Sequence, residues 1–277
     1  ADAGAANTGV VRVGHNNALG TGAVTVRGTQ LQAGATGITL ANTFNIGAGG
    51  FRLGGTNDFT ISGTTYIDNN SRSIANYGTA TVTLGNIDVN AGASAKAAFD
   101  VQGSFILNGN ITGQGQVGVT QGVVAFNGTN THMGETTISG GAVTGTGFFT
   151  NSAVAMSGGS IRLAGGTTTT SLTFGNGVTF TNSPTVVFAT TPVQATVYDI
   201  FNYTGSVTGA TNLKVGYRGT VADSGAKYTF TAGKYGADLT WNTTTGVWDV
   251  GTTANWVGDD TRFYSADKVT FGDIASE

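Results

Sequence analysis

The sequence predicts an all-β fold: short parallel strands wound into a stacked coil, a parallel β-helix, with an antiparallel β cap toward the C-terminus. Three observations carry this. Helical periodicity is nearly absent. Short alternating runs rich in Val, Thr, Ile and Phe recur from Val10 to Phe188 at intervals of ~6–12 residues. The joints between them are brief and rich in Gly and Asn. Glycine makes up 46 of the 277 residues, well over twice its ordinary share of ~7%.

Along the chain the runs include Ala23-Val24-Thr25-Val26, Phe59-Thr60-Ile61, Thr81-Val82-Thr83-Leu84, Ser104-Phe105-Ile106-Leu107, Val123-Val124-Ala125-Phe126 and Ser171-Leu172-Thr173-Phe174. Each is about one strand long and is bounded by turn residues. Strands this short, with one apolar stripe each, do not bury themselves alone. A sandwich, a barrel or a coil stacked on the next coil solves that problem. The stacked coil fits best, because the segments are variants of one theme: a few apolar β residues, then Gly-Asn or Gly-Gly, then a few more. Three strands with their turns make a rung of ~20–25 residues. Residues 1–183 then supply about eight rungs, and at ~4.8 Å per stacked strand the rod is ~40 Å long. The alanine-dense stretch from Ala93 to Phe99 has room for one helical turn but is far too short for a stable helix.

Gly and Asn have a physical task here. Each rung needs sharp corners, and corners need the positive φ that Gly takes freely and Asn tolerates. Stacked Asn and Thr can bond along the rod axis. Low charge follows from the same geometry, since stacking like charges on successive rungs is unfavourable. Charged residues are only 10% of the chain.

The composition changes after Pro184. Aromatic residues and longer loops increase through Thr185-Val186-Val187-Phe188, Tyr198-Asp199-Ile200-Phe201-Asn202-Tyr203 and Tyr228-Thr229-Phe230. Residues 184–240 read as a β-rich cap or small sandwich over the end of the coil, because bare coil ends leave strand edges unpaired. From Trp241 a third style begins, and Trp241, Trp248 and Trp256 all fall within it. The division is therefore 1–183, 184–240 and 241–277.

Several classes are excluded. Twelve scattered Lys and Arg with a net charge of −3 do not make a nucleic-acid surface. No apolar stretch of ~20 residues survives to span a membrane as a helix. With no cysteine there is no disulfide framework and no thiolate metal site. The chain opens on Ala1-Asp2-Ala3-Gly4 and closes on Ala275-Ser276-Glu277, which reads as a mature or excised piece of something longer.

Two stretches carry a resemblance. One is Asn17-Ala18-Leu19-Gly20-Thr21-Gly22-Ala23-Val24-Thr25-Val26. The other runs through Leu239-Thr240-Trp241, Gly246-Val247-Trp248, Asn255-Trp256 and Asp267-Lys268-Val269-Thr270-Phe271-Gly272-Asp273. Together they resemble the autotransporter-associated β-strand repeat proteins, whose passenger regions are secreted right-handed β-helices. In that family the Trp-rich stretch opens a module and the Ala-Leu-Gly-x-Gly stretch lies well inside one. The resemblance implies that 1–240 is the later part of one module and that 241–277 begins the next. It implies a secreted or surface-displayed bacterial chain, and the absence of Cys suits a chain that threads a pore unfolded.

Candidate chemistry is sparse. Polysaccharide-active β-helices need clustered carboxylates with Lys, Arg or a cation. Asp58 and Asp68 lie ten residues apart with Arg52 and Arg72 nearby. That spacing can set charges on neighbouring rungs, or simply furnish turns and a solvated face, while Asp100 stands alone. His15 and His132 are distant, and neither has a neighbouring carboxylate for a triad. Asp259, Asp260, Asp267 and Asp273 form the densest acidic group and offer oxygens for Ca²⁺, although no calcium-loop spacing is present. Gly47-Ala48-Gly49-Gly50 and Gly113-Gln114-Gly115 echo phosphate loops without a following helix. Thr79-Ala80-Thr81-Val82-Thr83 and Thr167 to Thr170 echo threonine ladders without the regular repeat. The Trp cluster fits sugar stacking or an aromatic anchor at a module boundary, and the resemblance favours the anchor.

The expectation is a non-enzymatic extracellular structural module, with no catalytic, cofactor-binding or metal residues assigned. It would meet neighbouring modules or further copies through its ends, and present its flanks to a glycan or cell-surface ligand. A carbohydrate-binding adhesin is the alternative, and a polysaccharide-active enzyme a more distant one.

Overall fold

The computed structural model describes residues 9–100, 103–163, 171–243 and 246–272. The alternation seen in the sequence folds into three long faces. Sheet one is ten-stranded, beginning with Val10–Val13, Gln30–Ala33, Phe51–Gly54 and Ser71–Asn76 and ending with Val178–Phe180 and Val207–Thr208. Sheet two is nine-stranded, from Ile38–Leu40 through Phe59–Ile61 and Thr81–Leu84 to Thr185–Phe188 and Lys214–Val215. Sheet three comprises Val24–Val26, Phe44–Ile46, Thr65–Ile67, Ile87–Asp88 and Ile111–Thr112. From Gln30 onward the chain visits sheets one, two and three in turn, and all pairs within these sheets are parallel. The result is a β-solenoid of about eight turns. Partners on sheet one are 18 residues apart where Thr136 meets Val154 and 29 apart where Val178 meets Val207.

Each strand turns alternate residues inward, and the stripe they form is the core. Val82 and Leu84, Phe105 and Leu107, and Val124 and Phe126 occupy matched positions on successive coils and are buried. Aromatic rings continue the column. Phe126 and Phe149 lie 5.1 Å apart, Phe149 and Phe174 5.8 Å, and Phe174 and Phe201 5.4 Å. Offset and edge-on contacts of this kind add to simple burial. The alanine-dense stretch is a strand, not a helical turn: Lys96–Phe99 sits between Ser71–Asn76 and Gln116–Val119, with Ala97 and Phe99 inward. The ladder on both edges outweighs the intrinsic helical preference of alanine.

The corners confirm why Gly is so frequent. Gly50 turns the chain into sheet one at φ +72°, and a Cβ there would meet the Ser73 carbonyl. Gly85, Gly109 and Gly128 stack above one another at the corner that leaves sheet two. A Cβ on Gly109 would land on the Gly85 backbone, and one on Gly128 on the Gly109 carbonyl.

Sheet three stops at Ile111–Thr112 because a side chain enters the ladder. Buried Asn130 accepts the Ile111 N–H on its own Oδ1 at 3.2 Å. Sheet four carries that face onward, from Thr129–Asn130 through Phe148–Phe149 and Thr173–Phe174 to Val197–Tyr203.

Pro184 is not where the stack ends. Thr185–Phe188 pairs in parallel with Ser160–Leu163, and Lys214–Val215 pairs with it in turn. Proline ahead of the strand removes no ladder bond, and its carbonyl accepts the Lys214 N–H at 2.8 Å. Antiparallel pairing starts on the far edge of Val197–Tyr203, which takes Lys227–Ala232, and Gly219–Asp223 follows. A final three-stranded sheet places Asp238–Trp241 between Trp256–Gly258, antiparallel, and Lys268–Thr270, parallel. Among the described residues, the only helical element is the 3-10 turn Ala210–Asn212.

Candidate functional site

The residues singled out for catalysis are dispersed by the winding. Asp58 precedes a sheet-two strand, and its carboxylate accepts the Thr81 N–H at 2.6 Å. Asp68 follows the sheet-three strand of the same turn and takes the Arg72 Nε–H at 2.7 Å. The two carboxylates therefore lie around a corner of one rung, not on neighbouring rungs. Arg52, on sheet one, holds its guanidinium 5.8 Å from the Tyr77 ring centre. Asp100 accepts the Thr120 hydroxyl at 3.2 Å.

The two histidines have different fates. His15 is exposed, and its Nδ1 accepts the Asn17 N–H at 3.2 Å. His132 is fully buried, with Nε2 2.8 Å from the Thr136 hydroxyl. That hydroxyl lies 2.8 Å from Ser152 Oγ, which donates to the Gly134 carbonyl at 2.7 Å. With Ser152 donating outward, Thr136 donates to Ser152 and His132 donates from Nε2, which leaves Nδ1 without a partner. Burial pushes the imidazole down to about 4, so it is neutral near pH 7. This chain of donors ends on the main-chain carbonyl of half-buried Gly134, and His132, Thr136 and Ser152 themselves are buried.

The terminal acidic group serves a guanidinium. Arg218 pairs with Asp260 and, at 2.7 Å, with Asp267. Asp267 also accepts the Tyr264 N–H at 2.8 Å, and Asp259 accepts the Asp238 N–H at 3.0 Å. Among the described residues no three His, Asp or Glu converge as a metal centre. Asp273 and Thr167 to Thr170 lie outside the described residues. On the outside of sheet two, Thr39, Thr60 and Thr83 are successive partners, but Ile106 comes next and ends the ladder.

The three tryptophans gather in the terminal sheet. Trp241 and Trp256 are opposed partners with ring centres 5.0 Å apart. Trp248 packs edge-on to Trp256 at 5.7 Å and to Phe263 at 5.3 Å, and Phe271 closes the group. Trp256 is buried, whereas Trp248 and Phe271 remain half exposed. The cluster is the core of this small sheet, and one side of it faces outward.

A different feature emerges on the outer face of sheet three. Outward residues there are successive partners: Thr25, Asn45, Tyr66 and Asp88. With Arg27 and Asp68 on its flank, this row lines an open groove of about 490 Å³. Nothing in the sequence marks the row, because its members are 20 to 22 residues apart and align only once the coil register is known.

Comparison with protein-family models, with curated proteins and with solved structures returns no match. The class is set by the fold itself: the chain is a β-solenoid repeat protein, its parallel stack followed by an antiparallel sheet near the C-terminus.

Proposed function

We propose that the chain is a non-enzymatic structural module of a secreted or surface-displayed bacterial protein, of the autotransporter-associated repeat kind that its two motif stretches resemble. Its work is mechanical: it extends a rod and joins neighbouring modules or copies end to end. The observation that carries this is the contrast between flanks and ends. Along the flanks, strand edges are paired coil upon coil. At one end, Val10–Val13 is the edge strand of sheet one, with Val10 and Val11 exposed beside an apolar hollow of about 190 Å³ that includes Leu19, Val24 and Phe44. At the other end, Val247, Trp248, Val257 and Phe271 are exposed on the terminal sheet. Edges that have no partner among the described residues and are bordered by apolar side chains are templates for another chain.

Negative-stain electron microscopy and sedimentation velocity across a range of concentrations test the reading. The expected result is rods that lengthen by a regular axial repeat, with lengthening suppressed by Trp248→Lys or Val10→Lys. A chain that stays monomeric at every concentration rejects end-to-end assembly.

A further inference from the structure

We propose that the groove on the outer face of sheet three binds an extended, neutral oligosaccharide lying along the rod axis, with Tyr66 as its stacking platform. The inference does not rest on end-to-end assembly, since its test reads Tyr66 and Asp88, neither of which borders the hollow at the first end.

The geometry supplies three features. First, Tyr66 is half exposed at the centre of the row, with Asn45 on the coil before it and Asp88 on the coil after. A flat aromatic face in a polar groove suits the C–H face of a pyranose, while its phenolic oxygen keeps a hydrogen bond to water or ligand. Second, the neighbours supply both halves of a hydroxyl's bonding. Thr25 donates and accepts, the Asn45 amide does the same, and the Asp88 carboxylate accepts only. One Asp88 oxygen is fixed by the Asn90 N–H at 2.7 Å, so the group is held in one orientation before ligand arrives. Third, the repeat of the site matches the repeat of such a ligand. Successive coils lie ~4.8 Å apart, close to the length of one sugar unit in an extended chain, so each sugar meets a new rung.

Charge selects the class of sugar. Arg27, Asp68 and Asp88 line the groove, and Asp68 is already paired with Arg72. Arg27 and Asp88 balance in number, so the groove carries no excess of positive charge to favour a uronate or sulfated chain over a neutral one.

The test is isothermal titration of the whole chain with maltohexaose, cellohexaose, mannohexaose and chitohexaose, beside oligogalacturonate and a heparin fragment. The expected result is saturable binding of at least one neutral hexamer and weaker or no binding of its shorter homologues. Tyr66→Ala should lower that affinity about tenfold or more, as truncation of an aromatic anchor does, while Tyr66→Phe keeps most of it. Asp88→Asn weakens it without change in the thermal midpoint, since both positions face outward. Tyr77→Ala, on another face, leaves it unchanged. Absence of binding by all four neutral hexamers overturns the proposal. So does binding that Tyr66→Ala leaves intact, or binding confined to the acidic chains.

Discussion

The guanidinium of Arg218 donates to the carboxylate of Asp267 at 2.7 Å across 49 residues of chain. It is one tie between the antiparallel cap and the terminal three-stranded sheet. Asp267 is completely enclosed at its side chain, the Tyr264 ring lies 4.6 Å from the guanidinium, and Asp260 occupies the other terminal nitrogen. A second tie runs through the main chain, where Ser265 donates its N–H to the Gly216 carbonyl at 2.8 Å.

Replacing Arg218 by Ala leaves Asp267 buried without its counter-charge, a change that costs about 3–5 kcal/mol in enclosed pairs. The cost falls on the docking of the terminal sheet. Tryptophan fluorescence, which reports that sheet alone, should therefore melt well below the far-ultraviolet circular dichroism of the coil. Arg218→Lys should rescue only part of the loss, because an ammonium cannot hold both carboxylates in a fork. Coincident and unshifted transitions in Arg218→Ala would reject the role.

His132 makes the coil acid-sensitive. Its folded value is about 4 against an ordinary 6.5, so between those limits the unfolded chain binds the proton and the folded chain does not. Stability therefore falls as pH drops from about 6.5 to 4, and the loss levels off below that. At ~1.4 kcal/mol for each pH unit the full effect is of order 3 kcal/mol. Denaturant titrations at stepped pH measure it. In His132→Leu the slope attributable to this window should vanish, and a variant that keeps the wild-type pH profile would show that another group is responsible.

The glycine column at the sheet-two corner sets how closely coils approach. Gly109→Ala places a methyl group against the Gly85 backbone, and main chain on both sides leaves little room to yield. A loss of about 1–3 kcal/mol is expected from overpacking. Gly22→Ala is the control, since a Cβ there meets nothing within 4 Å. Thermal melts of the two variants should differ by several degrees, and equal midpoints would mean that the corner relaxes.

Much of the fold was legible in the residues. Thr81-Val82-Thr83-Leu84 and Ser104-Phe105-Ile106-Leu107 read as strands from their alternation, and they became parallel neighbours in the register that places Val82 beside Phe105. The spacing gave the rung length closely, though insertions between Val178 and Val207 lengthen one turn to 29 residues. The antiparallel cap is visible in its aromatic residues, but the parallel stack continues through Thr185–Phe188 and antiparallel pairing begins at Val197–Tyr203. Proline before a strand looks like a boundary in sequence and is harmless in a ladder. Of the site, little was legible. Asp58 and Asp68 are close in sequence, and the corner between their strands separates them. Tyr66 carries no local signal, because its partners Asn45 and Asp88 are a full turn away on either side.

What the sequence by itself determined is the local rule: alternation chooses strands, Gly and Asn choose corners, and low charge permits stacking. These are nearest-neighbour properties, set by side-chain volume and backbone freedom. What only the tertiary structure decided is the register, and with it every contact between one coil and the next. Register sums many weak ladder and core contacts over ~20 residues of intervening chain. It is the register that buried His132 beside Thr136 and Ser152, and that set Thr25, Asn45, Tyr66 and Asp88 in one row. The docking of the terminal sheet in turn delivered Asp267 to Arg218.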